Sequence, residues 1–92
     1  MSMKPIDVEN VVLLALLRTS GTPSHITLDL RYAGHEVAGY EVTRALGTLR
    51  RGGLVQVLAE EQPARGISQP IYSLTAAGIA ETRTLPGGAQ HG

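Results

Sequence analysis

The sequence predicts an α+β domain, and three observations predict it. Val42, Ala45, Leu46 and Leu49 recur at i, i+3, i+4 and i+7, the spacing of one buried helix face. Ahead of them Ile26, Leu30 and Ala33 form a second helical pattern that ends at Gly34, with only the short turn His35-Glu36-Val37 between. After them LVQVLAE, with three β-formers in alternation, and QPIYSL, which reads as a second strand, flank the Pro- and Gly-containing loop EEQPARGIS, the pattern of a long-looped hairpin. Two helices joined by a turn and followed by a two-stranded ribbon make a small winged helix-turn-helix domain: three helices, a two-stranded β-hairpin wing and a short C-terminal helix.

The first helix is expected over residues 7–18. Asp7 is placed to cap it, because a carboxylate accepts from the free amides of the first turn. Ile6, just before that cap, is placed to staple onto Val11. The run VENVVLLALLRTSG carries apolar residues round most of its circumference, so the helix is either sandwiched in the core or shared with a second subunit. Thr22-Pro23-Ser24 reads as a break. The second helix then starts at Ser24 or Thr27 and runs to Ala33, although His25-Ile26-Thr27 also suits a short strand with Thr27 as the cap. Gly34 closes this helix where a left-handed residue is cheap.

The third helix is expected over about 38–51, stopped by Gly52-Gly53. Pro70 confines the second strand to a sheet edge. Thr75 caps a last short helix, AAGIAETR. The expected organisation is an N-terminal arm over 1–6, the winged domain over 7–83 and a Gly-rich disordered tail over 84–92.

Composition narrows the function. The chain has 92 residues, 42% hydrophobic and 17% charged, which fits one small folded domain. Eight Lys and Arg balance eight Asp and Glu, which excludes a polybasic protein that holds nucleic acid by bulk charge. Cys is absent, which excludes disulfide frameworks, thiolate metal sites and Cys nucleophiles. Tyr32, Tyr40 and Tyr72 are the only aromatics, too few for a platform that stacks single-stranded nucleic acid. The start MSMKPIDVEN lacks the basic-then-apolar order of a signal peptide. The longest apolar run, Val11 to Leu17, is seven residues, against about 20 for a bilayer span. A cytoplasmic protein without membrane contact is expected.

No enzyme is expected, and no cofactor or metal. The histidines are His25, His35 and His91. His35 and Glu36 are neighbours on a turn and do not converge on one ion. Gly52-Gly53 follows a helix instead of preceding one, and a helix C-terminus repels anions. No Ser-His-Asp set is evident.

AGYEVTRALGTLRRGGLV resembles the third helix and exit of bacterial winged-helix regulators of the MarR and PadR type. In those families the helix ends in L-x-x-x-G-L-V, here Leu49-Arg50-Arg51-Gly52-Gly53-Leu54-Val55. IYSLTAAG is similar to the Y-x-L-T-x-x-G that closes their wing, here Tyr72-Ser73-Leu74-Thr75-Ala76-Ala77-Gly78. The resemblance spans about Val8 to Glu81. It departs in the turn GHEVA, which looks a residue or two longer, and in the very short helix after the wing, so neither dimer geometry nor an effector pocket carries over. It implies a repressor-like transcriptional regulator that binds double-stranded DNA; a homodimer is expected from the apolar circumference of helix 7–18, the candidate interface.

In that setting the outward stripe of the third helix faces the major groove and the wing, 55–74, meets the backbone or minor groove. At about 100° per residue, Tyr40, Arg44, Gly47 and Arg51 lie opposite the buried stripe, flanked by Thr43, Thr48 and Arg50. Arg44 suits a bidentate fork on guanine O6 and N7. Arg51 reaches a phosphate or a further base, and Thr43 and Thr48 suit phosphate or a thymine methyl. Gly47 lets a DNA backbone approach closely. Arg65 at the wing tip suits a narrow minor groove, although Glu60 and Glu61 stand at the base of the same loop. Outward arginines are also ordinarily just solvated. From Arg31 to Arg65 five Arg face four Glu, a thin excess for phosphate neutralisation. Two other readings share the fold: a protein–protein interaction module, and a subunit of a plasmid or phage replication or partition complex.

Overall fold

The computed structural model describes the backbone of residues 5–61 and 69–85, and the side chains of residues 7–58 and 69–85. Helices α1 (Pro5–Arg18), α2 (Pro23–Tyr32) and α3 (Gly39–Arg51) precede strands β1 (Val55–Glu61) and β2 (Gln69–Leu74), and a short helix α4 (Ala76–Thr82) closes the order. This is the expected α+β winged arrangement.

Helix α1 begins at Pro5, so Asp7 is a residue of its first turn and not its cap. Proline is well suited to open a helix, because its φ is preset and its missing N–H would have no partner there. Asp7 still faces the positive end of the helix dipole. The side chain of Ile6 lies outside the described residues. Val8, Val12, Leu13, Ala15 and Leu16 are buried, and Val11 packs partly against the same core. Leu14 is only half-buried and Leu17 is 44% exposed. One chain therefore covers most of this helix but not all of it.

Helix α2 opens at Pro23 with Thr22 as its cap, where the Thr22 hydroxyl accepts from the His25 amide at 3.2 Å. The expected start at Ser24 or Thr27 was late, since Thr22-Pro23 is a cap followed by an N-terminal proline and not a break. Thr27 is inside the helix, buried, and donates its hydroxyl to the Pro23 carbonyl at 2.7 Å; residues 25–27 form no strand. Ile26 and Leu30 face the core as expected, whereas Ala33 sits at the exposed C-cap.

The same closure ends both helices of the helix-turn-helix. Gly34, at φ +97°, donates to the Arg31 carbonyl while His35 donates to Leu30. Gly53, at φ +78°, donates to Arg50 while Leu54 donates to Leu49. Each is a Schellman pair, which satisfies carbonyls left open at a helix end and needs a left-handed residue. At the start of α3, Ala38 has no side-chain acceptor, but Glu41 accepts from the Ala38 amide at 2.9 Å.

Strands β1 and β2 pair antiparallel from Val55 opposite Leu74 to Glu61 opposite Gln69. The register shifts between Val57 and Ala59, so Leu58 is an extra residue, 58% exposed. Gly21 adds a one-residue bridge to the free side of β2: its amide donates to Tyr72 at 3.1 Å and the Tyr72 amide donates back at 2.8 Å. Thr75 caps α4 as expected, accepting from the Gly78 amide at 3.0 Å. Val42, Ala45, Leu46 and Leu49 all face inward and meet α1, α2, Val55 and Leu74 in one core.

Candidate nucleic-acid interface

Because α3 buries one face so completely, its opposite face is left to solvent. Tyr40, Thr43, Arg44, Thr48, Arg50 and Arg51 are all exposed, and Gly47 is half-buried among them. These are seven of the eight residues expected to face DNA. The eighth, Arg65, lies outside the described residues, as do the side chains of Glu60 and Glu61.

The face divides into a central stripe and two flanks. Along the stripe the Arg44 guanidinium lies over the Tyr40 ring, 5.6 Å from its centroid. Farther on, Arg51 folds back along the helix, where one Nη donates to the Thr48 hydroxyl at 3.3 Å. A Cβ built at Gly47 would stand 3.6 Å from the other Nη of Arg51. On one flank Thr43 and Gly39 share an open groove of about 410 Å³ with Ser24, Thr27, Leu28 and Arg31 of α2. On the other, Arg44 and Thr48 share a cavity of about 210 Å³ with Val8 and Glu9 of α1 and with Glu41. Thr43 therefore borders the α2 side of the face and Arg44 the α1 side.

The groove adds residues that sequence spacing did not single out. It gathers the starts of both helices of the helix-turn-helix, where free amides carry partial positive charge, with the Ser24 and Thr43 hydroxyls. Arg31 has a second task, since its Nε donates to the Val37 carbonyl at 3.0 Å and ties the turn to α2. Recognising Thr22-Pro23 as a helix start would have placed Ser24 here. On α3 itself three arginines face one acid, Glu41, and that carboxylate is engaged by the Ala38 amide.

Among the described residues no group of three or more His, Asp or Glu stands together as a metal site. His25 lies beside Gly21, His35 in the turn closing α2, and His91 outside the described residues. No described helix is long and apolar enough to cross a membrane.

No family model matches the chain, and no curated protein matches it. Solved structures do. A PadR-like transcription factor from Bacteroides fragilis aligns with a TM-score of 0.75 at 21% identity, over 84% of this chain and 74% of its own. A PadR family transcription regulator from Clostridium difficile R20291 aligns with a TM-score of 0.69 at 17% identity, over 80% of this chain and 77% of its own. A Streptococcus mutans UA159 protein aligns with a TM-score of 0.72 at 14% identity, over 88% of this chain and 74% of its own. The fold is thus the winged helix-turn-helix of PadR-like structures. Of the two types that the sequence resembles, PadR is the one that two of these three structures are named for.

Proposed function

We propose that the chain is a small transcription regulator that binds double-stranded DNA, with α3 in the major groove and the β1–β2 wing on the backbone or minor groove. The observation that carries this reading is the exposed face of α3, which bears Arg44, Thr48, Arg50 and Arg51, with Thr43 lining the groove beside the starts of α2 and α3. Two structures of the same fold are described as PadR transcription regulators, which supports it.

Arg44 forks onto guanine O6 and N7. Arg50 and Arg51 reach phosphates or a further base. Thr43, together with Ser24, donates to a phosphate lying in the groove, and Thr48 does so on the far flank. Gly47 admits the DNA backbone, and Arg65, from the segment between β1 and β2, enters the minor groove. The protein works as a binder and not a catalyst, in the cytoplasm.

A homodimer built on α1 completes the reading. Leu17 is exposed on α1 and Leu14, one turn before it, is only half-buried, which leaves an apolar edge for a second copy. A chain with a formal net charge of zero neutralises few phosphates alone, and two copies on a palindrome double the number.

The test is fluorescence anisotropy with labelled duplexes, of random sequence and from upstream of the chain's own coding region, at about 50 and 200 mM salt. Preference for the native sequence, with affinity falling about 10³-fold over that range, is expected for several phosphate contacts from a dimer. Absence of binding to either duplex at the lower salt overturns the proposal.

A further inference from the structure

Tyr40 is an exposed aromatic with no packing task. It is 67% exposed, stands one turn before Arg44 on α3, and belongs to no part of the core. Yet the Arg44 guanidinium lies over its ring at 5.6 Å, within the range of a cation–π contact. We propose that Tyr40 and Arg44 act as one composite reader of a guanine with a thymine beside it, Tyr40 being the positioning residue for the Arg44 fork. The inference rests on the DNA-binding reading above and deepens it.

The physical case has three parts. An exposed arginine spreads over many rotamers and loses that freedom when it binds. A ring beneath the guanidinium restricts it beforehand. The guanidinium donates in its own plane, so a ring that covers one face leaves the fork open to guanine O6 and N7. Finally, the nearest carboxylate on the helix is occupied: Glu41, one turn before Arg44, accepts from the Ala38 amide at 2.9 Å. Glu9, which lines the cavity on the Arg44 flank, is the other acid near this residue.

The pairing with thymine follows from the ring itself. Tyr40 presents apolar surface outward one helical turn from Arg44, and the thymine 5-methyl is the one apolar group that bases show in the major groove. A guanine under the fork places a neighbouring base within reach of the ring.

The experiment is selection from a duplex library with a randomised core, followed by anisotropy on the enriched duplex, for the parent chain, Tyr40→Ala, Tyr40→Phe and Arg44→Ala. The enriched duplex is also made with 7-deazaguanine, which lacks N7, and with uracil in place of thymine, which lacks the methyl. The parent and Tyr40→Phe are expected to enrich the same guanine-thymine step and to lose affinity on either base analogue. Tyr40→Ala is expected to bind about three- to tenfold more weakly, to enrich the guanine less, and to be indifferent to uracil. Rescue by Tyr40→Phe separates positioning from hydrogen bonding by the phenol. If Tyr40→Ala keeps the same guanine preference and the same sensitivity to uracil, the inference fails and the DNA-binding reading stands. If the parent chain enriches no sequence and binds no duplex, both fall together.

Discussion

Gly78 in α4 is pressed against the carbonyl of Leu54 at the exit of α3. A Cβ at position 78 would collide with that oxygen, and would stand 3.1 Å from both the Leu54 carbonyl carbon and Leu74 Cδ2. Leu54 belongs to the G-L-V that ends α3, and Gly78 to the last position of the wing-closing motif. The two halves of the sequence signature are thus one contact in space. Backbone lies on the far side of the clash and cannot turn away as a side chain could. Replacing Gly78 by Ala is therefore expected to destabilise the fold by at least about 2 kcal/mol, although helix propensity alone would favour Ala by about 1 kcal/mol. Urea denaturation reads the sign directly, and a variant as stable as the parent would refute the packing argument.

Thr75 holds the same junction together with three bonds. Its hydroxyl donates to the Gly53 carbonyl at 2.6 Å and accepts from the Gly78 amide at 3.0 Å, while its own amide donates to the Leu54 carbonyl at 3.0 Å. Thr75→Ala is expected to lower stability by about 1–3 kcal/mol, combining a lost cap and a lost hydrogen bond. Thr75→Ser keeps both hydroxyl bonds and is expected to remain within about 1 kcal/mol of the parent. Thermal unfolding of the pair distinguishes the hydroxyl from the methyl.

What was legible in the sequence was what repeats locally. Val42, Ala45, Leu46 and Leu49 mark α3 because the helical period is visible within one element, and the segment Gln69–Leu74 matches the second strand read from QPIYSL. The Gly21–Tyr72 bridge joins residues 51 apart in the chain and leaves no local pattern. Pro23 was misread because proline breaks a helix interior but suits a helix start, and which it does depends on the cap before it. Counting 100° steps placed the outward residues of α3 correctly. That count does not place a neighbouring helix, so the groove with Ser24 and Arg31 emerged only when α2 was packed beside α3.

Arg44 and Arg50 are expected to fail differently when removed. Arg44→Ala should lose about 1–3 kcal/mol of binding and relax the preference at one base pair, while Arg50→Ala should weaken all sequences alike and reduce the salt slope by about 1. Titrations on the enriched duplex and on a scrambled one, at several salt concentrations, separate the two. Equal effects on both duplexes from Arg44→Ala would remove it from base reading.

Leu17 is 44% exposed at the uncovered edge of α1, next to half-buried Leu14. Leu17→Glu places a charge on that edge without entering the core, so the monomer fold is expected to survive. If α1 forms the dimer, sedimentation will show the parent as two copies and the variant as one, with DNA affinity falling by more than any single phosphate contact explains. A parent chain that sediments as a monomer at micromolar concentration would remove α1 from that role.

Gly47 makes the opposite case to Gly78. Its φ is not in the left-handed region, and a Cβ there meets only an Arg51 Nη at 3.6 Å, an ordinary contact with the end of a flexible side chain. In a helix interior, glycine costs about 1 kcal/mol relative to alanine, and among the described residues no contact requires that cost. Gly47→Ala is therefore expected to stabilise the domain by about 0.5–1 kcal/mol. If the position is kept small because a DNA backbone or base edge passes over it, the same variant will bind DNA several-fold more weakly while unfolding at a higher temperature. Stability and binding then move in opposite directions, which no defect of folding can produce. Unchanged affinity in the more stable variant would show that α3 meets DNA elsewhere along its stripe, at Tyr40 and Arg44 near its start or at Arg51 near its end.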